Sequence, residues 1–187
     1  MRINDFLNTE ESSYKKELSF IKNICSQFIQ ESRGLPLYKL LPSSYANLQK
    51  VKVRIRKNNN LISEVFDSAF VSNNLRNRAI YCYGAPQTPK NNLDLFYIFP
   101  INNFRYMYNK EIQNSSENYK KLIDKLVENL SDEEQPIEIV SDLVKYTYCK
   151  SNLVEGIASN SEIIIYGIPY YYVVRCSSVP NYQYILY

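Results

Sequence analysis

The apolar positions of this chain recur first at helical and then at strand spacing. From Asn8 to Glu31 the residues Tyr14, Leu18, Ile21, Cys25, Phe28 and Ile29 fall on one side of a helix, opposite Lys15, Lys16, Lys22 and Gln27. That pattern predicts an amphipathic helix ending near Ser32-Arg33-Gly34, where glycine suits a C-terminal cap. The segment from Leu35 to Leu40 reads as a short buried strand, and Leu41-Pro42-Ser43-Ser44 as a turn. From Lys50 to Lys57, cation and aliphatic alternate, placing Val51, Val53 and Ile55 on a core face and Lys50, Lys52, Arg54 and Arg56 on the other. Leu61 to Val71 carries one apolar helical face. Arg78 to Gly84 and Leu93 to Ile101 read as strands separated by a loop rich in Pro and Asn, with Pro100 at a strand end, where its missing N–H does least harm.

The second half holds three predicted helices. Asn114 is a candidate N-cap with Glu117 three residues on, and Tyr119, Leu122, Ile123, Leu126 and Leu130 form a buried stripe. After the acidic loop Ser131 to Gln135, Pro136 suits the first position of a helix running to about Tyr148, with Ile137, Val140, Leu143 and Val144 inward. Leu153, Val154, Ile157 and Ala158 add a short third helix. Ile163 to Tyr166 and Tyr170 to Arg175, joined by Gly167-Ile168-Pro169, then read as a C-terminal β-hairpin. The expected architecture is α+β: an N-terminal helical arm over 1–34 and one domain over 35–187, with a mixed or antiparallel β core.

Composition removes chemistry more than it adds any. The 187 residues include no histidine and no tryptophan, against 18 tyrosines. Hydrolases built on Ser-His-Asp or Cys-His, His-ligated zinc and histidine general bases are therefore excluded. Carboxylates, hydroxyls, thiols, Lys/Arg and the backbone are left. Cys25, Cys82, Cys149 and Cys176 form no Cys-x-x-Cys pair, which predicts reduced thiols and no metal site. A net charge of +3 is too small to imply nucleic acid by itself. No apolar run reaches bilayer length, and Met1 to Asp5 has no leader-like apolar core, so the expectation is a soluble, non-secreted chain with no membrane partner.

Glu162 stands at the mouth of the first hairpin strand beside Ser159, Asn160 and Ser161. An acid there is either a solvated strand-end charge or the acid of a site. Leu37-Tyr38-Lys39 on an early strand, Ile80-Tyr81-Cys82-Tyr83-Gly84 on a middle one and Ser159-Asn160-Ser161-Glu162 opening a late one come in an order that resembles the ADP-ribosyltransferase fold. The chain resembles more closely a set of small tailed-phage proteins distantly related to that fold, with Tyr97-Ile98-Phe99-Pro100-Ile101 and Phe104-Arg105-Tyr106 as further matching segments.

The resemblance implies NAD as cofactor and no metal. By it, Glu162 matches the acid that holds the ribose and stabilises positive charge as nicotinamide leaves. Lys39 stands where an arginine would clamp the dinucleotide phosphates, a point charge in place of a planar fork. Tyr38 accompanies Lys39, Cys82 and Tyr83 occupy the element where Ser or Thr is expected, and Asn160 takes the acceptor-selecting position. Three of these four positions depart from the pattern, which leaves Arg54 or Arg56 to take over the phosphates and Tyr81 or Tyr83 to stack on nicotinamide.

The functional expectation is a phage-encoded ADP-ribosyltransferase-like protein, a mono-ADP-ribosyltransferase if active. It would act on a bacterial host protein, in the host cytoplasm or carried by the virion. The alternative is a non-catalytic structural or assembly protein of a tailed-phage virion, contacting other virion proteins through a tyrosine-rich surface and a docking strand at Pro180 to Tyr187. Nucleic-acid binding through Lys50 to Lys57 is weaker, because aromatics are not interleaved with those cations. The same alternation is also how a sheet edge is kept unpaired.

Overall fold

The computed structural model describes residues 16–55, 60–72, 75–129, 135–179 and 181–186. The predicted helix onset over 8–15, Arg56 to Asn59, Leu130, Ser131 to Glu134, Pro180 and Tyr187 lie outside the described residues. The first helix, α1 (16–24), is followed directly by α2 (Ser26–Glu31), the break falling at Cys25. Then come β1 (Tyr38–Pro42), β2 (Leu48–Lys52), α3 (Leu61–Phe70), a 3-10 turn (Arg76–Arg78), β3 (Ile80–Tyr83), β4 (Leu93–Pro100) and β5 (Arg105–Tyr108). The chain continues with α4 (Ser115–Asn129), α5 (Pro136–Thr147), α6 (Leu153–Ala158), β6 (Glu162–Tyr166), β7 (Tyr170–Arg175) and α7 (Gln183–Leu186). The architecture is α+β in one domain, and no helix among the described residues is long and apolar enough to cross a membrane.

All seven strands pair antiparallel in the order β2-β7-β4-β1-β3-β6-β5. The predicted C-terminal hairpin is therefore not formed. β6 lies between β3 and β5, and β7 between β2 and β4. Turn residues say only that the chain changes direction there, and Gly167-Ile168-Pro169 carries it across the sheet instead of back along β6. The crossing constrains the shape of the sheet. Four strand spacings separate β6 from β7, about 19 Å in a flat sheet, whereas the four Cα steps from Tyr166 to Tyr170 reach at most about 14 Å. The sheet must bend between them, and the pairing shows where: β1 meets β3 at the single pair Tyr38–Tyr83. The halves β2-β7-β4-β1 and β3-β6-β5 thus meet at a narrow seam.

Two cores flank the sheet. Ile21, Cys25 and Phe28 of the N-terminal helices pack with Phe96 to Phe99, Ile163, Ile165 and Val173 in the larger one. Tyr182 and Ile185 join them, so the predicted terminal docking strand is instead a short helix whose apolar side is buried. Tyr182 stacks on Phe99 with ring centroids 5.7 Å apart. The smaller core lies under α3, α4 and α5 and takes Tyr81, Met107 and Ile164 from the β3-β6-β5 half. Pro136 opens α5 as its composition requires. Leu143, predicted inward, is 43% exposed, because α5 buries the face of Val140, Ser141 and Val144 instead.

The end of α3 is strained. Val71 caps the helix in the left-handed region (φ 47°, ψ 52°), where a β-branched side chain crowds the backbone, and it is 95% exposed, so nothing packed compensates. Replacing Val71 with Gly removes that crowding and loses no core contact. The expected outcome is a gain of about 0.5–1 kcal/mol in urea unfolding, or about 2–4 °C in melting temperature. An unchanged or lowered midpoint would show that the cap is not strained.

Candidate functional site

The three elements singled out in the sequence, on β1, β3 and β6, are neighbours in the sheet. Tyr38 is opposite Tyr83, and Tyr83 is opposite Glu162, so the three side chains stand in one row across the seam. Strand alternation then turns Cys82 to the other side. This row is what brings the predicted residues together, yet their functional atoms diverge into two places.

On the β6 side, Glu162 is only 5% exposed. Its Oε1 accepts from the Ser115 hydroxyl and its Oε2 from the Tyr83 hydroxyl at 3.5 Å, while its backbone N–H donates to the Ile112 carbonyl at 3.2 Å. Ser115 is the first residue of α4, and Asn114 caps that helix by accepting from the Glu117 N–H at 3.2 Å. The carboxylate thus sits at the positive end of a 15-residue helix, where a negative charge is favoured. Beside it opens a cavity of about 410 Å³ lined by Tyr83, Gln87, Gln113, Asn114 and Asn160 among others. Asn160 adopts a left-handed conformation (φ 56°) that asparagine tolerates, which places it at the mouth between α6 and β6. Burial pushes the Tyr83 hydroxyl up to about 12, and the neighbouring Glu162 charge adds to the rise, so this phenol is a hydrogen-bond donor and not a base at neutral pH.

On the other side of the seam, Lys39 turns away from the acid. Its amine donates to the Tyr81 carbonyl at 2.6 Å, and its side chain lines a cavity of about 320 Å³ between the half-sheets. Lys52 and Arg54 line the same cavity, with Tyr45 and Tyr171, and among the described residues no carboxylate lines it. β2 is the outermost strand of its half, so Lys52 belongs both to a sheet edge and to a cavity wall. Lys50 instead lies over the Tyr170 ring, 3.7 Å from its centroid. Arg175, the other cation of that half, is committed to Asp94, to Asn47 Oδ1 at 3.0 Å and to the Phe96 ring.

Cys82 is fully buried and touches neither cavity. Burial raises its thiol to about 12, with Lys39 pulling it down and Glu162 pushing it up. It therefore lies in the field of both charges but is no nucleophile. Three cations without an acid among the described residues suit phosphates, and an amide-lined mouth suits a polar neutral group. The buried Glu162 is engaged by Ser115 and Tyr83, and the Lys39 amine faces the Tyr81 carbonyl.

Two participants carry no signal of their role in the sequence. Ser115 reads there only as part of a helix start. Arg76, in the 3-10 turn, is 6% exposed. Its Nε donates to the Tyr81 hydroxyl at 3.0 Å, its Nη2 to the Ser116 hydroxyl at 2.8 Å, and its Nη1 has no hydrogen-bond partner among the described residues. Burial pushes the Tyr148 hydroxyl up; Tyr119 and Glu162 push it further while Arg76 pulls it back, so both charges act within one interior. No group of acids, cysteines or histidines able to hold a metal occurs among the described residues. No protein-family model, curated protein or solved structure matches the chain.

Proposed function

We propose that this chain is an ADP-ribosyltransferase-like protein that binds a nucleotide of the NAD type without transferring it efficiently, as a degenerate and phage-encoded member of that group would. The observation that carries the reading is the meeting of Lys39, Lys52 and Arg54 in one cavity, across the seam from the Tyr38–Tyr83–Glu162 row. Cations from two strands converging without a carboxylate suit a phosphate-bearing ligand. Loss of transfer follows from Glu162, whose oxygens are spent on Ser115 and Tyr83.

Calorimetry with NAD on the wild type and on Lys52→Glu/Arg54→Glu, paired with an NAD-consumption assay, tests both parts. The expected result is binding that weakens about tenfold or more on charge reversal, with no NAD consumed. No binding at about millimolar NAD overturns nucleotide binding. Consumption that disappears in Glu162→Gln overturns the degenerate reading and makes the chain an active transferase.

A second reading, a non-catalytic structural or assembly component of a virion, is favoured by a different feature. Ile139, Leu143 and Tyr146 recur along one side of α5 and are all exposed. Apolar stripes of this kind are used for contact with other proteins. This reading places the chain in purified virions of the encoding phage, and its absence from them would count against it.

A further inference from the structure

Strand β5 ends the sheet on the side away from β2, and the described residues cover its outer edge only in part. At Tyr108 the edge is closed: the Tyr108 N–H donates to the Cys149 carbonyl at 3.0 Å, and the Cys149 N–H returns a bond to the Tyr108 carbonyl at 2.8 Å. Antiparallel alternation sets the direction of the other backbone groups. Arg105 and Met107 turn theirs to β6, while Tyr106 presents its N–H and C=O outward, on the same side as Tyr108. No described residue takes that pair.

A cavity of about 830 Å³ lies along this stretch, between the end of α2, β5 and the segment leading into α6. Its wall includes Tyr106 from one face of the sheet and Arg105 with Tyr166 from the other, Arg105 and Tyr166 being cross-strand partners. A space reached from both faces of an edge strand is the space an added strand would fill. The wall is also charged in one sense. Among the described residues, Arg33, Arg105 and Lys150 line it against the single acid Glu31, and one Glu31 oxygen already accepts from the Gln27 amide at 2.9 Å.

We propose that the open edge of β5 receives an extended acidic segment of a partner protein as an added strand. Main-chain bonds to Tyr106 would fix its register, and Arg33, Arg105 and Lys150 would meet its carboxylates. The competing account is that these cations only guard a sheet edge, and it calls for no binding at all.

The test uses the full chain and a fluorescein-labelled hexapeptide of alternating glutamate and valine, read by fluorescence polarisation and by amide hydrogen exchange at Tyr106. Expected are saturable binding, weakening of about tenfold or more in Arg33→Glu/Arg105→Glu, and at least about tenfold slower exchange of the Tyr106 amide in the complex. The double variant keeps a wild-type amide spectrum, since both side chains are exposed. No binding up to about 1 mM peptide overturns the proposal. So does binding that leaves Tyr106 exchange unchanged, which would mean charge attraction without an added strand. Equal binding of the lysine–valine counterpart overturns it as well.

Discussion

Gly84→Ala is expected to destabilise the fold by about 3 kcal/mol or more, or to prevent folding. A Cβ at Gly84 would stand 1.8 Å from the Ile157 carbonyl oxygen and 2.6 Å from its carbon. Those are backbone atoms of α6, so no side chain can swing aside. Either the end of β3 or the last turn of α6 must move, and both are tied down: Tyr83 pairs with Tyr38 and Glu162, and Ile157 is buried in the larger core. The strain would fall on the candidate site, because Tyr83 precedes Gly84 and Ser159 to Glu162 follow α6. Gly167→Ala provides the contrast. Gly167 has a left-handed φ of 85° but nothing nearer than 3.9 Å to the added carbon, so its cost is the conformational one, about 1 kcal/mol. Urea unfolding of both variants checks the ranking. A Gly84→Ala protein within about 1 kcal/mol of wild type would mean that β3 and α6 are not locked together.

The same contact separates what is legible in the sequence from what is not. Local signals are legible: Pro136 opening α5, Asn114 capping α4, glycine closing β3. Each is decided by a few adjacent residues. Gly84 is legible as a stop, but its reason, a helix pressed against it from more than 70 residues away, is not. Pairing is also beyond reach. The link Gly167-Ile168-Pro169 has the chemistry of a turn, and only the bend at the Tyr38–Tyr83 seam makes a crossing short enough for it. Residues 183–186 give too few positions for a helical period to stand out.

The site divides along the same line. Glu162 is legible because it is the acid at the mouth of β6, and Tyr38, Tyr83 and Glu162 do share a row. The direction of Lys39 is not, since strand alternation gives a side but not the partner its amine finds at Tyr81. Arg76 reads as an ordinary surface cation between Leu75 and Asn77. It is interior because its turn is held against α3, where the Leu75 N–H donates to Asp67 Oδ1 at 2.8 Å, and because Phe66 and Tyr81 offer it their rings at 4.8 and 5.2 Å.

Arg76→Met is expected to cost about 3 kcal/mol, and most of that cost should depend on Glu162. Arg76 and Glu162 are the two charged side chains buried among the described residues. They make no direct ion pair. Adjacent hydroxyls at the start of α4 connect them, Ser116 accepting from Arg76 and Ser115 donating to Glu162, and on β3 Tyr81 and Tyr83 reach one charge each. In a low-dielectric interior, opposite charges at this remove still offset part of each other's loss of solvent, which a lone buried charge cannot recover. Methionine keeps the aliphatic volume between Phe66 and Tyr81 and removes the charge, so Glu162 is left without a counter-charge. Glu162→Gln alone should cost less, about 1–2 kcal/mol, because the amide can still accept from Ser115. The double variant should then be more stable than the sum of the two losses predicts, by about 2 kcal/mol, measured as a urea double-mutant cycle. Strict additivity would show that the two charges are stabilised separately, Glu162 by the α4 terminus and Arg76 by its aromatic sandwich. The cation facing the acid would then have to be sought elsewhere.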